Sequence, residues 1–535
     1  MNSQPQSKNY WPELGLWNLY FLIKLGLFAA GYLNLQVIPN LVFAGFLLVP
    51  IGYRPLRVAR QLIAIPLGVA LFYQDTWLPP FSRLLNQPGV LDFSFAYFAE
   101  IVERTINWTM LGLIFVAVIV YLYIHVWIRL SFVSITALIW IGLQQHIFLP
   151  VLQGEQAVAA EPLATTTATA PVQARPADLN EFVDDFWQNQ QQLHIDLAQG
   201  TDADPVDVLF LSICSLSWDD LNNTGLVSHP VFGQFDIVFD QFNTATSYSG
   251  PAVRRLMRAS CGQPDHDSMH STTANQCSLM GQLDARGLEI EALFNHTGEF
   301  DGFTEMVLAE SHKLQMSGLI EEKSIQRTMV AFDGSPVWRD REVLSAWWQE
   351  RINSGDAGRA LLYNTISLHD GNRIALPNGS SRRAEYRELA TGLLDDIAGV
   401  VQLMERGERP LIVVLIPEHG ASLEGDRMQI AGMREIPSPS ITHVPVAVKL
   451  IGFERADAGE QVRIAEQTSY FGLAELIKRL LDHGVTDPLD LPQMASGLPQ
   501  TEWVSENEQT VVVRIDGQTH VRLRQDGQWL PYPEK

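Results

Sequence analysis

The chain has 535 residues, of which 47% are hydrophobic and only 18% charged, with three cysteines and a net charge of −23. This composition excludes a disordered chain and a disulfide-framework miniprotein, and the acidic excess argues against nucleic acid as a partner. The charge is uneven: residues 1–152 hold eight Lys and Arg against five Asp and Glu, a balance of +3, while the remainder carries −26. That is the pattern of a membrane anchor followed by a solvated globular domain.

The anchor, residues 1–152, is predicted to be a multi-span α-helical membrane domain with about five helices, four being the alternative. Leu14–Ile23 and the uncharged stretch 25–53 make two spans, with Lys24 inside or snorkelling. Gln61–Gln74, followed by Asp75, is a short third span ending in the Trp77-Leu78-Pro79-Pro80 belt. Residues 105–128 and 130–152 contain no Asp, Glu, Lys or Arg, and each exceeds the roughly 20 residues that cross a bilayer. Recurring hydrophobic segments exclude a cleaved signal peptide. Arg54, Arg57 and Arg60 precede the third span and Arg129 separates the last two. The positive-inside rule places both loops in the cytoplasm, so everything after residue 152 faces outward, into the periplasm of a Gram-negative cell.

Residues 153–178 follow, with 15 of 26 being Ala, Thr or Pro and no apolar periodicity. They read as a tether. In an oxidising compartment Cys261 and Cys277, with 15 residues between them in a polar, turn-rich segment, are candidate disulfide partners. Closing such a loop stabilises by roughly 3 kcal/mol. Cys214 is then left over, and an unpaired periplasmic thiol needs either deep burial or a role.

Residues 179–535 read as an α/β domain with a mostly parallel central sheet. Continuous apolar runs at Asp207–Ile213, Phe235–Phe239, Leu411–Ile416 and Val444–Ile451 predict covered strands. Helical patterns lie between and after them at 249–260, 281–288, 343–352, 382–405 and 473–481. The tail, 509–530, alternates around Asp516-Gly517 and Asp526-Gly527, which predicts a small antiparallel addition.

Ligands of such sheets gather beyond the carboxyl ends of strands. Cys214 follows the first run directly. Glu418 and His419 follow the third, before a glycine that permits a sharp turn. Ser249, in the sequence Ser-Gly-Pro, sits near a predicted helix N-cap about ten residues past the second. Singly, each has an ordinary explanation: a buried thiol, a capping hydroxyl, a hydrogen-bonded imidazole. Together they offer sulfur, carboxylate, imidazole and hydroxyl, a set of four that suits zinc (Zn2+), although the spacing matches no zinc finger. A zinc ion lowers the pKa of a bound hydroxyl and neutralises phosphoryl or sulfuryl charge. Arg434, His369 and His443 are candidates for binding the remaining anionic charge.

The segments LFLSICSLSWDD, FNTATSYSGPAVRRLMRASCGQ, LLYNTISLHDGN and VVLIPEHGA resemble the cellulose phosphoethanolamine transferase family of enterobacterial cellulose secretion systems, within the alkaline phosphatase/sulfatase-like superfamily. The likeness runs from the membrane spans to the C-terminus. It implies a zinc-dependent transfer of phosphoethanolamine from phosphatidylethanolamine in the membrane to glucosyl 6-hydroxyls of nascent cellulose. By the same resemblance, Ser249 matches the nucleophile and also reaches the metal, whose other ligands match Cys214, Glu418 and His419. Tyr248, His369 and Arg434 match residues lining the phosphoryl pocket, and the Cys261–Cys277 disulfide agrees with the family. His369 is then a proton shuttle or phosphate ligand, or else a structural hydrogen bonder. Tyr248 caps the pocket or merely packs. Related lipid A transferases use threonine and an Asp-His pair, so serine, Glu-His and the extra sulfur favour the cellulose branch. The resemblance also implies contacts with membrane subunits of the cellulose synthase complex. Two rivals stand beside it: a transferase of the same fold with another envelope acceptor such as lipid A, and a non-catalytic scaffold of the cellulose synthase complex.

Overall fold

The computed structural model describes residues 14–76, 108–144, 176–200 and 205–533, apart from residues 126, 324, 356, 408, 458, 509 and 524–526. The tether up to residue 175, the belt at residues 77–80 and the end of the last predicted span lie outside the described residues. Two compact units emerge, Met1–Arg83 with Glu100–Ala170, and Leu84–Ala99 with Pro171–Lys535.

In the first unit the described helices are Trp17–Ala29, Val37–Leu48, Arg54–Asp75, Trp108–Ile124 and Leu130–Leu143. Apart from the start of Arg54–Asp75, they fall in segments expected to be helical. By length and composition Arg54–Asp75 is long and apolar enough to cross a membrane, and the others are shorter apolar helices. This helix starts earlier than the predicted third span. Pro55, in the first turn, has the fixed φ that favours a helix start, so the arginines expected in a loop form the opening turns.

Lys24 neither snorkels nor stands alone. It is fully buried and ion-paired with Asp75, the last residue of Arg54–Asp75. Asn40, also fully buried, joins the two: Lys24 Nζ donates to its Oδ1 at 2.7 Å, and its Nδ2 donates to Asp75 Oδ2 at 2.7 Å. The Gln36 backbone N–H supplies Asp75 Oδ1 at 3.0 Å. Helices far apart in sequence are thereby tied by one polar cluster whose charges cancel.

The second unit carries, in chain order, strands β1 (Asp207–Ile213), β2 (Ile237–Asn243), β3 (Glu289–Phe294), β4 (Gln315–Met316), β5 (Arg327–Val330), β6 (Pro336–Trp338), β7 (Arg359–Thr365), β8 (Arg373–Ala375), β9 (Ser381–Arg383), β10 (Leu411–Pro417), β11 (His443–Ile451), β12 (Val462–Thr468), β13 (Trp503–Asn507), β14 (Thr510–Ile515), β15 (Gln518–Arg522) and β16 (Leu530–Pro531). Eight form the central sheet, in the order β12-β2-β11-β10-β1-β7-β3-β4. All its neighbours pair in parallel except β11, which runs antiparallel to both β10 and β2. The sheet is therefore mixed but mostly parallel.

The continuous apolar runs follow from burial on both faces. In β1, Val208 and Phe210 enter one core while Leu209 and Leu211 enter the opposite one. In β10, Ile412 and Val414 side with the first pair, Val413 and Leu415 with the second. The helices Ser249–Met257 and Tyr470–His483 cover the first face, and Asp340–Ile352 and Tyr386–Glu405 cover the other.

Element boundaries move by a few residues from expectation. The long helix begins at Tyr386 rather than residue 382, because Ser381–Arg383 pairs as β9 with β8. β2 runs to Asn243, past the apolar stretch, since strands on both sides hold its polar end. The tail folds as the antiparallel sheet β13-β14-β15-β16. Its Asp516-Gly517 turn has positive φ at both residues (51° and 77°), the two-residue hairpin form those residues favour. Asp526 lies outside the described residues. Helix Pro176–Gln190 packs on this small sheet through Leu179, Val183 and Phe186 against Val504, Val511, Val513 and Trp529.

Candidate functional site

Strand register creates the site. Ile213 of β1 lies opposite Pro417 of the parallel β10, so the next residues, Cys214 and Glu418, leave the sheet side by side. Backbone bonds continue the pairing past the strand ends: Glu418 N–H donates to Ile213 at 2.9 Å, Leu216 N–H to His419 at 2.7 Å, and Cys214 N–H to Thr365 of β7 at 3.0 Å. The ligand atoms of Cys214, Glu418 and His419 lie within 4.8 Å of one another, and all three residues are buried. Cys214 Sγ and Glu418 Oε2 each stand 4.0 Å from His419 Nε2.

Ser249 comes from the third strand end. It is the first residue of helix Ser249–Met257, and Tyr248 occupies the N-cap without a side-chain capping bond. The serine hydroxyl is thus one position inside its expected place and does not cap. Its Oγ stands 3.2 Å from His419 Nε2 and 3.5 Å from Cys214 Sγ. A tetrahedral zinc, with bonds of about 2.0–2.3 Å, spaces its ligand atoms roughly 3.3–3.8 Å apart. The four donors come near that spacing, the Ser249 pairs at 3.2 Å and 3.5 Å and the pairs to His419 from Cys214 and Glu418 slightly wider at 4.0 Å.

Their chemistry also asks for a cation. Glu418 Oε2 is buried, and no hydrogen bond of acceptable geometry reaches it among the described residues. Burial, reinforced by the Glu418 charge, pushes the Cys214 thiol up to about 11. Burial raises the Glu418 carboxyl as well, and burial with the nearby Arg434 charge holds the His419 imidazole well below its usual range. A metal ion reverses the penalty on the two anions. His419 Nδ1 lies 2.9 Å from the Gly420 carbonyl, which can only accept; a proton on Nδ1 leaves the Nε2 lone pair facing Ser249 and Cys214. The donor set fits zinc.

Several supporting residues carried no signal in sequence. Asn364, at the end of β7, donates to Glu418 Oε1 at 2.6 Å and to Ser212 Oγ at 3.0 Å, and Ser212 Oγ donates to Glu418 Oε1 at 3.0 Å. Asn364 Oδ1 lies 3.0 Å from His296 Nε2, whose Nδ1 accepts from Gly298 N–H at 3.1 Å. His296, held down to about 4 by burial, is therefore a neutral donor that fixes which way the amide points. Asp220 ties the two ligand loops: one oxygen accepts from Ser217 N–H at 2.9 Å, Ser217 Oγ at 2.9 Å and Ala421 N–H at 2.7 Å. At Gly420 an added Cβ would meet Ser217 Oγ at 2.6 Å and Asp220 Oδ2 at 2.9 Å, so this close approach requires glycine. Only a local Ser-x-x-Asp capping box hinted at Asp220.

On the open side Arg434 reaches the donors. Its Nη1 is 3.0 Å and 3.3 Å from the two His419 ring nitrogens and donates to Ser215 Oγ at 3.2 Å. Its Cζ stands 5.9 Å from the Tyr248 ring centre, and Tyr248 OH donates to Glu435 at 2.7 Å. The loop bearing Arg434 and Glu435 is pinned by the small C-terminal sheet. Asn507 Nδ2, buried at the end of β13, donates to Ser247 Oγ at 2.7 Å, the Arg434 carbonyl at 3.1 Å and the Glu435 carbonyl at 3.0 Å. The small sheet, expected only over 509–530, thus includes β13 and through Asn507 is part of the site's frame.

His369 stacks on Phe332, ring centres 4.3 Å apart, and Nδ1 faces the Asp370 carbonyl at 2.8 Å. Burial, then the Arg434 charge, lowers it to about 4, so it is neutral at physiological pH with Nε2 free to accept. His443 is not brought to the donors. Its Nε2 donates to the Asp240 carbonyl at 2.6 Å and its ring packs near Trp218 and Trp503. Cys261 and Cys277 form a disulfide, leaving Cys214 as the free cysteine.

Two family models match nearly the whole chain. One, described as the cellulose biosynthesis protein BcsG C-terminal domain, matches residues 163–529, and one described as the BcsG N-terminal domain matches residues 17–143. The cellulose biosynthesis protein BcsG of Escherichia coli (strain K12) is 38% identical over 552 residues, covering 98% of this chain and 97% of that protein. The protein of the same name from Salmonella typhimurium (strain LT2) is 39% identical over 549 residues, again covering 98% of this chain and 97% of that protein. Among solved structures, the lipooligosaccharide phosphoethanolamine transferase EptA of Neisseria meningitidis aligns with a TM-score of 0.42 at 15% identity, covering 86% of this chain and 95% of that one.

Proposed function

The chain belongs to the cellulose biosynthesis protein BcsG family, and we propose that it is a zinc-dependent enzyme transferring phosphoethanolamine from phosphatidylethanolamine to glucosyl 6-hydroxyls of nascent cellulose. The observation that carries this reading is the convergence of one hydroxyl, Ser249, on a buried thiol and imidazole at 3.5 Å and 3.2 Å. A serine placed among such donors, beside an arginine, suits attack on phosphorus.

Zinc held by Cys214, Glu418 and His419 would lower the pKa of the Ser249 hydroxyl and neutralise charge on the phosphoryl oxygens. Ser249 Oγ attacks phosphorus, a new P–O bond forms, and the bond to the diacylglycerol oxygen breaks. As Ser249 attacks, its hydroxyl proton passes to His369, which delivers it to the leaving diacylglycerol oxygen. The phosphoethanolamine now sits on Ser249. The oxygen of a glucose 6-hydroxyl then attacks phosphorus, His369 accepts its proton, and the bond to Ser249 breaks as His369 returns that proton to Ser249 Oγ. Arg434 binds the non-bridging oxygens through both steps. Tyr248 bounds the pocket.

A lipid donor never leaves its bilayer, so an anchored catalytic domain fits this chemistry. We place the anchor in the inner membrane as a multi-pass domain, residues 179–535 in the periplasm, and the cellulose synthase complex as the source of the acceptor. Mass spectrometry of the purified chain after incubation with phosphatidylethanolamine vesicles tests the reading. A phosphoethanolamine adduct on the peptide containing Ser249 is expected; an unmodified Ser249 in zinc-loaded protein that still transfers the group would overturn the serine route.

A further inference from the structure

β3 ends at Phe294, opposite Asn364 of the parallel β7, and the next two residues, Asn295 and His296, send their side chains to different parts of the site. We propose that these two are positioning residues that set the halves of the reacting centre separately: His296 the metal half, through Asn364 and Glu418, and Asn295 the proton-transfer half, through the turn that carries His369. The proposal rests on the transferase reading above.

In the metal half each bond fixes the direction of the next. Gly298 N–H can only donate, and it reaches His296 Nδ1 at 3.1 Å, which puts the ring proton on Nε2. Nε2 faces Asn364 Oδ1 at 3.0 Å, so the other end of that amide points its N–H groups at Glu418 Oε1, 2.6 Å away. Turned over, the amide would set donor against donor at His296 and oxygen against carboxylate at Glu418. The imidazole is itself stacked on Phe294, ring centres 5.1 Å apart.

In the other half Asn295 is fully buried, and its amide has one direction too. Oδ1 accepts from Ile366 N–H at 3.0 Å, while Nδ2 donates to Ser367 Oγ at 2.9 Å and the Trp338 carbonyl at 3.2 Å. Ser367 Oγ donates in turn to the buried Asp340 carboxyl at 2.5 Å, which also takes the Tyr363 hydroxyl at 2.8 Å. Ile366 and Ser367 open the turn that carries His369, whose N–H returns to the Ile366 carbonyl at 2.8 Å. Asn295 therefore holds this turn at its root. Proton transfer needs the imidazole within hydrogen-bond reach of the reacting oxygens, so a turn that shifts loses rate.

The test uses the full chain in detergent. Zinc affinity is read by competition with a chromogenic chelator, and turnover by diacylglycerol release from phosphatidylethanolamine micelles. His296→Asn, too short to reach Asn364, should weaken zinc binding about 10–100-fold. His296→Gln, one methylene longer and still able to donate there, should stay within about fivefold of the wild type. Asn295→Ala should leave zinc affinity within about twofold, and lower kcat at least about tenfold with KM changed less than about threefold. In a His369→Ala background the same change should cost less than about twofold more, because a residue that acts by placing the imidazole has nothing left to place. Ser367→Ala breaks the same support one bond further on, stands in if Asn295→Ala does not fold, and should show the same pattern. Equal zinc affinities in His296→Asn and His296→Gln overturn the metal half. A kcat loss of the same size with and without His369, or no loss at all, overturns the proton half. A wild type that releases no diacylglycerol defeats the transferase reading and the proton half with it, while the zinc titrations still decide the metal half.

Discussion

Two buried polar clusters, one in each unit, answer the same problem in opposite ways. Lys24, Asn40 and Asp75 bring a cation, an amide and an anion together, and each charge is neutralised within the cluster. Cys214, Glu418 and His419 bring together two potential anions and a neutral ring, all buried. A cluster that closes on itself holds helices in place. A cluster short of a cation is built to receive one, because burying ionisable oxygen and sulfur without compensation is costly.

The comparison can be broken most decisively at Ser249. Ser249→Ala should lower phosphoethanolamine transfer at least about a thousandfold while zinc content, measured by atomic emission, stays near one per chain. A variant that loses zinc along with activity would make Ser249 a necessary ligand rather than chiefly a nucleophile. Next comes the closed cluster. Lys24→Met strands Asp75 and should cost about 3–5 kcal/mol, read as thermal melting in detergent, without changing the chemistry of the isolated site. The double variant Lys24→Met, Asp75→Leu should recover more than half of that. If the single variant melts like the wild type, the pair is not a staple.

Asp220 sharpens the contrast, being a buried carboxyl with hydrogen bonds and, among the described residues, no ion-pair partner. Burial lifts it to about 6, above the ordinary 3.8. The folded state therefore binds its proton more tightly than the unfolded chain. Its stabilising contribution is full below pH 4 and is lost as pH rises from about 4 to 6, by about 3 kcal/mol from the shift. Asp220→Asn should remove that slope, so the stability gap between the two proteins should widen across this window in urea titrations. The smallest effect is expected at Asn364. Asn364→Ala frees the Glu418 carboxylate to rotate and should weaken zinc affinity about 10–100-fold in competition with a chromogenic chelator, with melting changed far less. An unchanged affinity would reduce Asn364 to a packing residue.

Much of this was legible from residue type and position. The apolar runs of β1 and β10 marked a doubly covered sheet, and the residues just past their ends, Cys214 and Glu418-His419, were visible as candidates because such sheets bind ligands there. His443, a candidate for its imidazole, packs elsewhere: it starts β11, the one antiparallel strand of the central sheet, and its ring bonds the Asp240 carbonyl and packs near Trp218 and Trp503. Asn364, His296 and Asn507 were invisible. An asparagine near a strand end has no distinguishing neighbour pattern, and its role depends on a partner found only after folding.

By itself the sequence marked the membrane-like first part, the α/β second part and Cys214, Ser249, Glu418 and His419 as candidates, because hydrophobic periodicity and side-chain chemistry are local properties. Only the tertiary structure decided that β1 and β10 are parallel neighbours in register, that Lys24 meets Asp75, and that the last sheet braces the loop of Arg434. Those facts are pairings between segments far apart along the chain. They are selected by packing and hydrogen-bond closure over the whole fold, which no short stretch of residues encodes.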